Sequence, residues 1–175
     1  MVENKFITLD EVSTALTSTP TTLRSLLSHL TPEQYRWRPA DNEWSINEVI
    51  GHLIAADQVA FAGRIQLMLE QEHPTLPRVD VDQLASERQD QQRVLDDLLD
   101  ELTVGRQKSS QLIRSLTPSQ LARTGDYPKY GTFLVSDFVY EWPYHDYAHL
   151  QQILTIQQEA IWPHFSPSMQ QALKS

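Results

Sequence analysis

Residues 132–158 read TFLVSDFVYEWPYHDYAHLQQILTIQQ. Val135, Phe138, Trp142, His145, His149 and Ile156 recur here by threes and fours, the spacing of one face of an α-helix. Two histidines therefore stand where the pattern calls for core residues. Four positions apart on a helix puts His145 and His149 on one face with Cβ atoms about 6 Å apart, which suits two imidazoles converging on one cation. Pro143 lies just before them, removes one backbone hydrogen bond and is expected to bend the helix there.

Three further blocks carry the same spacing, and none of the links between them shows a run of period-two alternation. In the first, Leu9, Val12, Leu16, Leu23, Leu26 and Leu30 mark the seam, and Pro20 either kinks one helix or starts a second. The second opens at Trp44-Ser45, where Ser45 and Glu48 form a capping box, and runs to about Glu72 before His73-Pro74. After a link from Pro74 to Asp82, Leu84, Leu95, Leu98, Leu102, Leu112 and Leu116 define a third, with Arg88, Gln91, Gly105 and Ser109 on the same seam. Thr117-Pro118 ends it, and a loop through Gly125, Pro128 and Gly131 leads into the fourth. The fold expected is all-α, a single-domain bundle over residues 1–175, with its core at about 8–158 and a short tail at 159–175. LTPEQ (30–34) and LTPSQ (116–120) each follow a helix; they mark either two related hairpins or the ordinary use of Thr-Pro to stop one helix and begin another.

The 175 residues include no cysteine, which excludes disulfides, thiolate ligands and a cysteine nucleophile, so a metal site has only histidine and carboxylate to draw on. A formal charge of -9 without a Lys/Arg cluster argues against nucleic acid as a partner. The N-terminal MVENKFITLDEV lacks the apolar stretch of a signal peptide, and no run approaches the roughly 20 apolar residues of a membrane span, so a cytoplasmic location with no membrane partner is expected. No Ser-His-acid order, phosphate-cradling glycine loop or dinucleotide fingerprint is present, and Gly51 and Gly63 are isolated within a helix.

The HxxxH pair admits two readings. Either each imidazole is matched by a hydrogen bond in a half-buried position, or the two share a cation that takes one nitrogen from each. His52, on the second helix, lies off the Ile46, Ile50, Leu53, Phe61 and Met68 stripe, on a face with Glu48, Ala56, Val59 and Gly63. The small residues either leave room for a ligand cavity or permit close helix packing. Three histidines would leave coordination positions to water or substrate, as in a catalytic site for zinc, nickel, iron or manganese. Glu48, Glu141 and Asp146, each within a turn of a histidine, are candidates to orient a ligand or act as general base, Glu48 foremost. His29, His73 and His164 read as surface or capping residues, and Asp57 and Arg64 as partners for groups on neighbouring helices.

The run WSINEVIGHLIAADQVAFAGRIQLMLEQEHP (44–74), the Pro-Asp link after it and FVYEWPYHDYAHLQQI (138–153) together resemble the DinB-like superfamily and, within it, the YfiT-like metalloenzymes. The likeness spans roughly residues 16–158. It implies a four-helix bundle in up-down-down-up order with a divalent metal on three histidines: His52 matches the histidine of the first motif, and His145 and His149 those of HDxxH. It also implies a small-molecule substrate, activity as a hydrolase or a low-molecular-weight-thiol S-transferase, and a homodimer. The alternative is a non-catalytic bundle that binds a metal or small ligand in a stress response.

Overall fold

A computed structural model describes residues 7–174. The first six residues, where the acidic N-terminal stretch begins, and residue 175 lie outside the described residues. Four long helical segments make the body: α1 (Leu9–Leu27); α3 (Ile46–Ala56), which continues through a π-helical segment (Asp57–Ala62) into α4 (Gly63–Glu70); α6 (Leu95–Ser115); and α8 (Val135–Ile161). Between them lie the short helices α2 (Pro32–Arg36), α5 (Val81–Glu87) and α7 (Pro118–Leu121), and α9 (Pro167–Ala172) follows α8.

Residue pairs fix the helix order. Ser13 meets Ser110 while Arg24 meets Asp96 and Asp100, so α1 and α6 run antiparallel. His52 meets His145 while Asp57 meets Trp142, so α3 and α8 are antiparallel as well. Asn47 bonds the Arg93 carbonyl and Asp57 pairs with Arg106, so α3 and α6 run the same way. With α1 up, the order is up-down-down-up, and the two consecutive parallel helices require the long link at residues 71–94. The fold is the four-helix bundle expected from the sequence.

Two apolar clusters fill the bundle. One gathers Leu16, Phe61, Ile113, Phe138 and Trp142, the other Leu23, Leu53, Leu102, Ile153 and Ile156. Along each helix a polar residue interrupts the seam between them: Thr19 on α1, Asp57 after α3, Arg106 on α6, and His145, Asp146 and His149 on α8. A polar layer thus crosses the waist of the molecule.

Several local expectations hold. Ser45 and Glu48 form the capping box of α3, with the Ser45 N–H donating to Glu48 Oε2 at 2.9 Å. α1 runs through Pro20 as one helix, and α8 continues through Pro143. In both LTPxQ strings the glutamine accepts from the threonine N–H, at 2.8 Å for Thr31–Gln34 and 2.9 Å for Thr117–Gln120, so each builds the start of a short new helix.

Three features differ from the sequence reading. The second helix contains a π turn, in which the Gly63 N–H reaches Gln58 O; a Cβ at Gly63 would stand 2.6 Å from that oxygen. The third block is two helices, because Gln89 adopts a left-handed conformation (φ 57°) and the buried Asp90 turns inward to take Arg88 and Arg93. Its carboxylate occupies the space a side chain at Gly51 would need, with Oδ2 2.0 Å from an ideal Cβ there. Finally, the loop expected around Gly125–Gly131 holds a two-stranded antiparallel hairpin, β1 (Thr124–Tyr127) and β2 (Gly131–Leu134), which takes Thr132–Leu134 out of the fourth helix. Four residues per strand are too few to show alternation. His73 is bound there by Asp126 Oδ2 (3.0 Å) and Thr124 Oγ1 (2.7 Å), a structural role.

Candidate metal centre

α3 and α8 bring His52, His145 and His149 together at the waist, with one ligating nitrogen from each lying within 4.8 Å of the others. His145 Nε2 is 3.2 Å from both His52 Nε2 and His149 Nε2. A ring nitrogen carries one proton or one lone pair, so His145 Nε2 can complete a hydrogen bond with only one of its two neighbours. Tetrahedral coordination at metal–nitrogen distances of about 2.0–2.1 Å places ligand nitrogens about 3.4 Å apart, close to the observed separation. The donor set therefore fits a divalent transition metal through three Nε2 atoms.

The electrostatics agree. Burial lowers the pKa of His52 to about 4, helped by His149. Burial, then His149, His52 and Arg106, take His145 to about 3. His149 is lowered by burial as well, with Gln152 working the other way. At neutral pH the rings are uncharged, with lone pairs available to a cation. If Nε2 is the ligand, Nδ1 carries the proton: His149 Nδ1 is 2.8 Å from Gln152 Oε1, which fixes that tautomer. His52 Nδ1 lies 3.4 Å from Asp82 Oδ1, an electrostatic contact without hydrogen-bond alignment, and His145 Nδ1 has no partner.

The three carboxylates singled out in the sequence have other surroundings. Glu48 is held by Arg38, by the Ser45 N–H and by Ser45 Oγ, contacts that outweigh its partial burial and keep its pKa below the usual value. Glu141 lies on the exposed side of α8. Asp146 turns away from the histidines and takes Arg106 through both oxygens at 2.6 Å and Thr19 at 2.7 Å. Arg106, 1% exposed, also reaches Asp57 Oδ2 at 2.7 Å, and Trp142 Nε1 donates to Asp57 Oδ1. Burial raises Asp57 to about pKa 6 in spite of Arg106 and Trp142. Arg64 lies over the Tyr127 and Phe138 rings.

A cavity of about 570 Å³ opens onto the centre, lined by His52, His149, Asp82, Trp44, Gln152 and Glu159 among others. The Trp44 ring lies 4.9 Å from that of His52. Asp82, Trp44, Gln152 and Arg106 were not picked out in the sequence. Gln152 was discoverable, since it follows His149 by three positions on the same helical face. Asp82 carried no such signal, because its place depends on how the long link folds back.

The DinB superfamily profile matches residues 15–153. No curated protein sequence matches the chain significantly. Among solved structures, that of YfiT from Bacillus subtilis superposes with a TM-score of 0.77 at 20% identity, covering 93% of this chain and 94% of the other. That protein is described as a probable metal-dependent hydrolase with an unusual four-helix bundle topology. With a profile match over most of its length and the corresponding fold, the chain belongs to the DinB superfamily.

Proposed function

We propose that this protein is a metal-dependent hydrolase of small molecules, with a divalent ion (zinc, nickel, iron or manganese) held by Nε2 of His52, His145 and His149. The observation that carries the reading is the convergence of three neutral imidazoles, whose Nε2 atoms cannot all be satisfied by hydrogen bonds to one another, beside an open cavity. When bound, such an ion supplies Lewis acidity and lowers the pKa of water or of a low-molecular-weight thiol. Gln152 holds the His149 ring, and Asp82, beside His52, has an exposed carboxylate in the same cavity and is placed to accept a proton there. In this reading Glu48, foremost among the candidate bases in the sequence, serves the start of α3, and proton handling passes to Asp82. Hydrolysis forms the acyl C–O bond from water, breaks the bond to the leaving group, and delivers one proton to that group.

The test is elemental analysis of untagged protein alongside turnover of ester, amide and thiol-transfer panels. The native chain is expected to hold near-stoichiometric metal, and His149→Ala to lose both metal and turnover. Turnover retained in His149→Ala would sink the reading. Stoichiometric metal without turnover on any panel would favour the non-catalytic bundle, and turnover confined to the thiol panel would favour S-transfer.

A further inference from the structure

The long link that carries Asp82 is fastened at two points and lightly held between them. Upstream, Leu76 is fully buried and its N–H donates to the Asp126 carbonyl at 2.8 Å. Downstream, the buried Asp90 takes Arg88 and Arg93, and its carbonyl accepts from the Asn47 side chain on α3. In the intervening α5 only Ala85 is buried, and Val81 packs against the edge of one apolar cluster. A segment with so few buried apolar contacts opens at lower free energy than the bundle it covers. Asp82, in the first turn of α5, lines the cavity of about 570 Å³ beside the histidines and also a second cavity, of about 500 Å³, with Arg78 and Tyr127. It therefore stands between the two.

His52 Nδ1 is buried and makes no hydrogen bond, and Asp82 Oδ1 faces it at 3.4 Å. While His52 Nε2 is free, the ring can carry its proton on either nitrogen, so nothing obliges Nδ1 to donate. Once Nε2 gives its lone pair to a cation, the proton is confined to Nδ1, and a buried donor then needs an acceptor. We infer that Asp82 is the positioning residue for His52 and the latch of α5: with Nε2 engaged by a metal, Nδ1–H donates to Asp82 Oδ1 and α5 is held closed against the site. This rests on the metal-binding part of the reading above, and it leaves Asp82 Oδ2 for the proton-accepting role given there. Coupling between two binding events is reciprocal, so the factor by which a closed α5 tightens metal binding is the factor by which bound metal holds α5 closed.

The test measures zinc affinity and the hydrogen exchange of the α5 amides on the full chain, with and without zinc at constant pH and ionic strength. In the native chain zinc should slow exchange across α5 by about tenfold, the size expected when a carboxylate holds a metal-bound histidine. Asp82→Ala should lose that slowing and bind zinc about tenfold more weakly. Glu87→Ala removes an exposed carboxylate of the same helix that does not line the cavity, and should keep both. A merely structural role for Asp82 would change exchange equally with and without zinc and leave zinc affinity alone. Zinc bound by the native chain without slower exchange in α5, or equal slowing in Asp82→Ala, would overturn the inference while the metal site stands. Failure of the native chain to bind zinc would overturn the metal site and, with it, the latch.

Discussion

Each histidine in the centre has a different second contact, and those contacts set the residue-scale expectations. Gln152 is the partner of His149 Nδ1. Gln152→Leu removes that acceptor, frees the ring to change tautomer, and should weaken metal affinity by about 10- to 100-fold in competition titrations with a chelating dye. An unchanged affinity would show that Gln152 does not orient the ligand. The pH dependence of the metal-free protein follows from the depressed histidines. Unfolded histidine takes up a proton near pH 6.5, whereas folded His52 does so near 4 and His145 near 3. Their contribution to stability is complete above pH 6.5 and is lost as pH falls toward the folded values, at up to about 1.4 kcal/mol per pH unit for each. Asp57 has the opposite sign: raised to about 6, it takes up a proton in the folded state before the unfolded chain does, and offsets one histidine between pH 6 and 4. Urea unfolding of metal-free protein at pH 7, 5.5 and 4.5 should show a net fall in stability, and a flat profile in the native chain would contradict it. The steepness should be reduced in His52→Gln/His145→Gln.

At the scale of elements, the polar layer ties the helices together. Arg106 on α6 holds Asp146 on α8 and Asp57 in the π segment, and Thr19 on α1 adds a bond to Asp146. Asp146 directly follows His145, so this network sets the rotation of α8 and the direction of its ligands. Arg106→Ala leaves two carboxylates buried without a cation and should cost about 3–5 kcal/mol in chemical denaturation. Arg106→Ala/Asp57→Asn/Asp146→Asn, which removes the unpaired charges as well, should recover much of that loss while metal affinity stays reduced. Recovery of affinity with stability would mean that the network stabilises the fold without positioning the histidines. The elements themselves were legible to different degrees. The four seams and the Ser45 cap stood out because they rest on local spacing. The break at Gln89 did not, because it depends on a distant group: Asp90 fits only where Gly51 presents no side chain, and Gly51 looked like an isolated helix glycine.

For the whole molecule, the ligands come from two antiparallel helices, so a bound ion joins elements about 90 residues apart in sequence: His52 from α3 and His145 and His149 from α8. Metal that binds the folded chain and not the unfolded one stabilises by mass action, so prolonged chelation should lower the melting temperature. Restored zinc, at about 100 times its dissociation constant, should return about 2.7 kcal/mol of stability. A melt insensitive to chelator and to added zinc would argue for three histidines in a hydrogen-bonded core. Among the described residues no helix is long and apolar enough to cross a membrane. What the sequence determined by itself was the helical class, the seams and the three-histidine candidate, because spacing along a helix controls which side chains share a face, and a histidine in an apolar seam is conspicuous. The tertiary structure alone decided that the three Nε2 atoms converge, that Asp82 and Trp44 wall their cavity, and that Glu48 faces Arg38. Those facts depend on the rotation of α8 against α3 and on the paths of the links at residues 28–45 and 71–94, which arise from packing between residues far apart in the chain and leave no periodic trace along it.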